Sequence, residues 1–311
     1  MRIGVDFGGT HIKAAIVEDG EVSQAVSVDT PQRTPAPVVI DKIAELVRQL
    51  EPRPESVGLA IPGQVDSLGM VWRLPNVPGF EAVPIAQELS KRLDCPVAVE
   101  NDATAAALGE HLWGRGRGFS SFLMVTLGTG IGGGLVMFDK LVRGAQGFAG
   151  EIGHIRIHEG ADAWACTCGQ RGCVEAYAGT KGLLRKYREL GGEASKIRQI
   201  AESARRGDAA AQATFQFMAQ SLGLLLVKLQ NLLDLEAYVF TGGISQSFDL
   251  LEPTLRAALR DQCFAPPLGQ VPLLVSQLGP RAGLVGAAYL HLVRPAQAEV
   301  LQLESVAPGR R

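Results

Sequence analysis

The sequence predicts two similar α/β domains facing each other across a cleft. Strands and helices alternate along all 311 residues with no long linker, the pattern of a layered α/β architecture. Each half opens in the same way, with a short apolar strand, a Gly/Thr-rich turn and a second strand. The 37 glycines cluster in such turns, where the backbone bends sharply or a ligand approaches closely.

Arg2 to Asp6 reads as a strand, Gly8-Gly9-Thr10 as a turn and Ile12 to Glu18 as a second strand. Asp19-Gly20 is a hairpin signal into Val22 to Val28. A helix is expected from Val38 to Leu50, with Val39, Ile43, Leu46, Val47 and Leu50 on one face, ended by Pro52 and Pro54. Ser56 to Ile61 is an apolar strand that stops at Pro62-Gly63. Ile85 to Leu93 reads as a helix and Val97 to Val99 as a buried strand. Asn101 or Asp102 then opens a helix through Trp113. In the second half, Phe122 to Leu127, the turn Gly128-Thr129-Gly130 and Ile131 to Phe138 repeat the opening motif. Lys181 to Leu233 is largely helical. Ala237 to Thr241 is a strand, and Gly242-Gly243 leads into a helix from Phe248 to Leu259. Val271 to Val275 and Ala282 to Leu292 are the last strand and helix.

Composition narrows the function classes. The chain is 46% hydrophobic and 20% charged, an ordinary globular balance. A net charge of −2 gives no electrostatic case for nucleic acid. No apolar run reaches the length of a membrane span: Ser221 to Leu233 is short and contains Lys228, Gln230 and Asn231. No apolar leader opens the chain, so a cytoplasmic, reducing setting is expected.

Between Glu151 and Glu175 one histidine and three cysteines converge: Glu151-Ile-Gly-His154, then Cys166-Thr-Cys168-Gly-Gln-Arg-Gly-Cys173-Val-Glu175. His154, Cys166, Cys168 and Cys173 are the donor set of a closed tetrahedral zinc site, which is structural because no position is left for water. A disulfide would leave one of the three thiols unpaired. Cys95 and Cys263 sit in apolar contexts and read as ordinary buried thiols.

In Asp6-Phe-Gly8-Gly9-Thr10 a strand delivers an acid and the glycines let backbone N–H groups point at an anion. The Thr10 hydroxyl can donate to a phosphate oxygen, and Asp6 suits a magnesium ion or its waters. Leu127-Gly-Thr-Gly-Ile-Gly-Gly-Gly134 offers a matching cradle. Either turn alone reads first as a plain hairpin; two copies, one carrying an aspartate, point to phosphate. Neither is a Walker A loop, because no Gly-Lys-Ser/Thr follows, and neither opens a helix as a Rossmann turn does. Glu100-Asn101-Asp102 stands at a strand end. Asp102 there can accept the proton of a hydroxyl during phosphoryl transfer, and Asn101 can bond a neighbouring hydroxyl. The same residues equally serve as an N-cap for the following helix, and the two roles can coexist.

The residues quoted so far, together with Leu74-Pro-Asn76 and Thr241-Gly-Gly243, resemble in order and spacing the ROK (repressor, open reading frame, kinase) family of sugar kinases, most of all its bacterial glucokinases. The resemblance covers nearly the whole chain. It implies an actin-like ATPase (ribonuclease H-like) fold of two domains closing on a hinge, for which Arg115-Gly-Arg117-Gly118 is a candidate. Residues 1–117 with about 281–311 would form a small N-terminal domain, and 118–280 a larger one with the zinc loop and helical segment.

The resemblance further implies Asp102 as catalytic base toward the 6-hydroxyl of a hexose, with glucose expected. Asn101, Glu151, His154 and Glu175 would be sugar ligands, with Gly63 and Asn76 supplying further contacts. Asp6, Gly8, Gly9, Thr10, Gly128, Thr129 and Gly130 would hold the phosphates and Mg²⁺ of ATP, Gly242 and Gly243 the adenosine, and Lys13 a phosphate charge or merely an exposed strand position. A homodimer or homotetramer is expected. N-acetylmannosamine, N-acetylglucosamine and other hexose kinases share this motif set. Repressors of the family carry a DNA-binding domain ahead of the Asp6 turn, for which this chain leaves no room. A non-catalytic sugar sensor would be expected to lack the base, and Asp102 is present.

Overall fold

The structure is a computed structural model that describes residues 1–74, 77 and 79–293. Its elements in order are β1 (Arg2–Phe7), β2 (His11–Glu18), β3 (Glu21–Asp29), α1 (Ala36–Leu50), β4 (Ser56–Ile61), β5 (Gln64–Val65), β6 (Val71–Arg73), β7 (Glu81–Val83), α2 (Ile85–Leu93), β8 (Val97–Asn101) and α3 (Asp102–Trp113). There follow β9 (Phe122–Leu127), β10 (Ile131–Met137), β11 (Lys140–Val142), α4 (Val174–Ala178), α5 (Thr180–Glu189), α6 (Ile197–Arg205), α7 (Ala209–Leu233), β12 (Ala237–Thr241), α8 (Glu252–Gln262), β13 (Leu273–Val275) and α9 (Ala282–Ala288).

Two five-stranded sheets share one plan. In the first the order is β3-β2-β1-β4-β8, and in the second β11-β10-β9-β12-β13. In the first, β1, β2 and β3 pair antiparallel while β4 and β8 run parallel to β1. In the second, β12 is parallel to both β9 and β13, and β10 and β11 form an antiparallel hairpin. The sequence motif of strand, glycine turn and strand is thus the antiparallel pair β1–β2 in the first sheet and the neighbouring pair β9–β10 in the second.

The chain divides into two compact units. Among the described residues, one comprises Met1–Gly118, Gly134–Ala149 and 280–293; the other comprises Phe119–Gly133 and Gly150–Gly279. Against the expected division into 1–117 with about 281–311 and 118–280, the difference is that Gly134–Ala149 packs with the first unit. A Cβ at Gly134 would overlap Ala103 O, so only glycine lets this backbone lie against α3. Arg143 Nη2 then donates to Val293 O at 2.9 Å.

In the first unit the core lies between the sheet and α1 and α2, with Ile3, Val5, Phe7, Ile12, Ile40, Ile43, Leu59 and Ile61 buried. Helix α9 packs on β1 and β4, and on α3. A Cβ at Gly58 would overlap Ala287 O, and one at Gly286 would overlap Ala105 O. Backbone-to-backbone packing here fixes α3, and with it Asp102 at the helix start. After Gly63 the chain builds a small antiparallel sheet, β5-β6-β7. Strands of two or three residues are too short to carry a readable period.

In the second unit the helical stretch resolves into α5, α6 and α7, broken at Gly191-Gly192 and at Gly207. Asp208 caps α7, its Oδ1 accepting from Ala211 N at 2.6 Å. Helix α7 runs 25 residues. It is long and apolar enough to cross a membrane by length and composition, which the shorter stretch from Ser221 did not anticipate. Phe215, Met218, Leu222, Leu225 and Leu226 on it are buried, and it packs on α4, α6 and α8, so it is the central helix of this unit. The expected helix from Phe248 instead begins at Glu252. Gly243–Leu250 is a 3-10 segment, and Pro253 stands in the first turn of α8.

Candidate functional site

The residues singled out from sequence in the first unit gather at the carboxyl ends of β1, β4 and β8, where open α/β sheets present ligand sites. The register aligns Asp6 with Ala60, and Ala60 with Glu100. At a strand spacing of about 4.8 Å, Asp6 and Glu100 lie roughly 10 Å apart across the sheet. Burial holds the Asp6 carboxyl above the usual carboxylate range, opposed by the cationic Lys13, its cross-strand neighbour. A carboxylate so placed gains by meeting a cation.

The first glycine turn is held from behind. Thr30 Oγ1 donates to Gly8 O at 2.7 Å and Gln32 Nε2 donates to Gly9 O at 2.9 Å. Thr30 N donates to Thr10 O, and Gly8 N closes the turn on His11 O at 2.9 Å. With these carbonyls occupied, the protein itself fixes the turn. Sequence reasoning missed Thr30 and Gln32, which carry no motif and act only because the end of β3 lies beside the turn.

Asn101 and Asp102 straddle the junction of β8 and α3. Asn101 Oδ1 accepts from Ala103 N at 2.9 Å and Thr104 N at 3.2 Å, so it caps the helix. Its Nδ2 donates to Gly63 O at 3.3 Å, which brings Gly63 to the same strand ends. One amide hydrogen of Asn101 is left over for another acceptor. Asp102 Oδ1 accepts from Ala103 N at 2.7 Å. The buried Glu100 accepts from Asn101 N at 3.0 Å and faces Arg143 at 3.9 Å. Asn76 lies outside the described residues.

In the second unit, the turn Gly128-Thr129-Gly130 ends β9 and Gly242-Gly243 ends its parallel neighbour β12, with Thr126 aligned to Thr241. Gly242 has φ 91°, and a Cβ there would overlap Leu127 O. These two turns therefore adjoin. The second turn is also held from behind. Thr180 donates to Gly128 O through N at 3.1 Å and Oγ1 at 2.9 Å. Ile131 N donates to Glu175 Oε2 at 3.1 Å.

The loop from Gly150 to Cys173 brings the remaining side chains together. The ligand atoms of His154, Cys166, Cys168 and Cys173 all lie within 4.8 Å of one another. His154 Nδ1 is 3.7 Å from Cys166 Sγ, and Cys168 Sγ is 3.8 Å from Cys173 Sγ. A tetrahedral zinc with Zn–S bonds of about 2.3 Å has S···S edges of about 3.8 Å, so the donor set fits that ion. A disulfide, at about 2.05 Å, is not formed. Burial pushes the Cys173 thiol up to about 12 and raises Cys166 as well, so a divalent cation is what would favour their thiolates.

The other ring nitrogen of His154, Nε2, faces Glu151 Oε2 at 3.9 Å. Burial raises the Glu151 carboxyl, His154 opposing and Glu175 adding to the rise. The loop is pinned on α4: Trp164 stacks on Tyr177 at 4.8 Å, and Trp164 N donates to Tyr177 Oη at 2.7 Å.

Comparison with known proteins decides the family. The ROK family description matches residues 2–294. The chain belongs to the ROK family. Glucokinase of Streptomyces coelicolor is 34% identical, over 93% of this chain and 97% of that protein. N-acetyl-D-glucosamine kinase of Pasteurella multocida is 32% identical, over 94% and 99%. The crystal structure of a ROK family glucokinase from Streptomyces griseus in complex with glucose and AMPPNP superposes with a TM-score of 0.79 at 35% identity, covering 93% of this chain and 98% of that one. The fold is thus the actin-like ATPase fold of ROK sugar kinases, as the motif order implied. Within it, the two shared strand-turn-strand starts are the two glycine turns described above.

Proposed function

We propose that this chain is an ATP-dependent hexose kinase acting on the 6-hydroxyl, with glucose as its preferred substrate. The observation that carries this reading is the gathering of Asp6, the first glycine turn, Asn101 and Asp102 at one set of strand ends, in a chain of a sugar-kinase family. Phosphoryl transfer asks little covalent chemistry of a protein; it needs positioning, charge neutralisation and an acceptor for one proton. In this reading Asp102 takes the proton of the 6-hydroxyl as that oxygen attacks the γ-phosphorus and ADP leaves. Asn101, Glu151, His154 and Glu175 pair with the other hydroxyls, with Gly63 and Asn76 supplying further contacts.

A sugar presents groups that both donate and accept. A set of Asn, Asp, Glu and His can satisfy them, and it penalises an epimer that leaves a carboxylate unpaired. Backbone N–H groups of Gly8 to Thr10 and of Gly128 to Gly130 meet phosphate oxygens, and Gly242-Gly243 meet the nucleoside. Lys13 stays beside Asp6. Asp6 would hold magnesium, which would neutralise phosphate charge. His154, Cys166, Cys168 and Cys173 would hold zinc, which would supply no chemistry to the step and would fix the loop that carries Glu151 and His154. The family also leads us to expect a cytoplasmic homodimer or homotetramer, which sedimentation of the purified chain would check.

N-acetylated hexoses form the second reading, favoured by the 32% identity to N-acetyl-D-glucosamine kinase of Pasteurella multocida. ADP release from ATP and Mg²⁺ against glucose, mannose, N-acetylglucosamine, N-acetylmannosamine, fructose and allose separates the two. Turnover greatest on glucose supports the first reading, and turnover greatest on an N-acetylated sugar moves the assignment to the second. Silence on every sugar, with the protein folded and metal-loaded, removes the kinase assignment.

A further inference from the structure

Glu175 stands in the proposed sugar-binding set, yet its carboxylate is engaged elsewhere. Oε2 accepts from Ile131 N at 3.1 Å, at the exit of the second glycine turn. A Cβ at Gly130 would overlap that oxygen, so the turn is shaped to let the carboxylate in. Oε1 accepts from Thr167 Oγ1 at 3.1 Å, with Cys166 Sγ at 3.8 Å. Thr167 lies between two of the metal-ligating cysteines, and Cys173 is the N-cap residue of α4, the helix that carries Glu175. One helical turn on, Thr180 holds Gly128 O by two hydrogen bonds. The segment from Cys166 to Thr180 therefore runs from the metal cluster to both ends of the second turn.

We infer that Glu175 is a positioning residue for the second glycine turn, and that through it the metal cluster sets the affinity for the nucleotide. The inference rests on the kinase reading above. The physical argument is preorganisation. A turn whose backbone donors are already aimed loses less freedom when phosphate binds. Glu175 and Thr180 supply that aim, and the cluster supplies their fixed origin. Loss of the metal then loosens the nucleotide turn even with no sugar present. A carboxylate that served only a sugar hydroxyl would leave nucleotide affinity untouched.

The test is calorimetric titration of the full chain with Mg²⁺–AMPPNP, without sugar, alongside metal content and a separate glucose titration. Glu175→Ala should weaken AMPPNP binding about tenfold, the loss expected for a hydrogen bond to a charged group. Glu175→Gln should recover most of it, since the amide oxygen still accepts from Ile131 N–H. Thr167→Val, which replaces neither a metal ligand nor a residue of the turn, should weaken binding about threefold with zinc retained. Chelation of the wild type should weaken binding by a similar factor to Glu175→Ala, and chelation of that variant should add little, the non-additivity of residues acting through one path. Unchanged AMPPNP affinity in Glu175→Ala, with glucose affinity alone reduced, overturns the inference and leaves the kinase reading standing. If Glu175→Ala does not fold, unchanged affinity in a folded, zinc-loaded Thr167→Val overturns it equally. A wild type that binds no AMPPNP at all removes the kinase reading and the inference with it.

Discussion

The two glycine turns are the same device built twice and secured in two ways. Each ends a strand, β1 or β9, and leads into its hydrogen-bonded neighbour, β2 or β10, in sheets of the same order. The first brings its own acid, Asp6, on β1, and is held by neutral side chains, Thr30 and Gln32, from the end of the adjoining β3. The second has no acid on its strand. It borrows Glu175 from α4, whose N-cap residue is a member of the metal cluster. On the kinase reading, repetition of the fold supplies two anion cradles, and the segments inserted after each repeat decide what holds each one. The first is held by residues at the end of its own sheet. The second is held through a His/Cys cluster that could take a metal ion.

That contrast can be broken at several points. The largest effect should come from Cys168→Ser, which removes one of four ligands from a closed site whose metal contributes folding energy directly. Zinc should be lost and the melting temperature should fall by at least about 5 °C, since in a chain of this size each kcal/mol is worth ~2–4 °C. A wild type that is metal-free, equally stable and fully active would remove the structural-metal assignment.

Next in size, Gly286→Ala forces a Cβ onto Ala105 O where α9 meets α3, and overpacking of this kind costs about 1–3 kcal/mol. Urea denaturation should show the loss. Because the first unit carries this contact, zinc content should not change, and a fall in zinc would show that the two units are not independent in stability.

A smaller effect separates the turns themselves. Gly130→Ala displaces the Glu175 carboxylate, whereas Gly8→Ala brings its Cβ to 3.0 Å from His11 O, a contact a small shift relieves. AMPPNP affinity should fall further in the former, and the opposite order would deny the second turn its special dependence on Glu175. Smallest of all, Gln32→Ala removes two neutral hydrogen bonds, to Gly9 O and Thr30 O; the one on the turn itself is worth about 1 kcal/mol, so AMPPNP should bind about fivefold more weakly.

Much of this was legible in the sequence because it is local. Strand, glycine turn and strand lie within a few residues of one another, and the ligand spacing from His154 to Cys173 is compact. The junction of β8 and α3 could be placed at Asn101–Asp102, although only the structure assigns the capping to Asn101. What sequence missed is what depends on distance along the chain or on weak periods. Glu175 meets Ile131 across 44 residues. The strands β5, β6 and β7 are too short to show alternation. The helix expected at Phe248 starts later because a 3-10 segment, invisible to a 3.6-residue period, precedes it. The apolar run from Ser221 to Leu233 is only the C-terminal part of α7, and the apolar residues before it, Phe215 and Met218 among them, extend the same buried face.

The central claim is that Asp102 takes the proton of a hexose hydroxyl during phosphoryl transfer. The most direct measurement is kcat and KM for glucose in Asp102→Asn beside the wild type, with calorimetric glucose binding on both. The account predicts a fall in kcat of about 10²–10⁴, the usual worth of a positioned general base, with glucose affinity largely kept. Turnover retained in Asp102→Asn would contradict it.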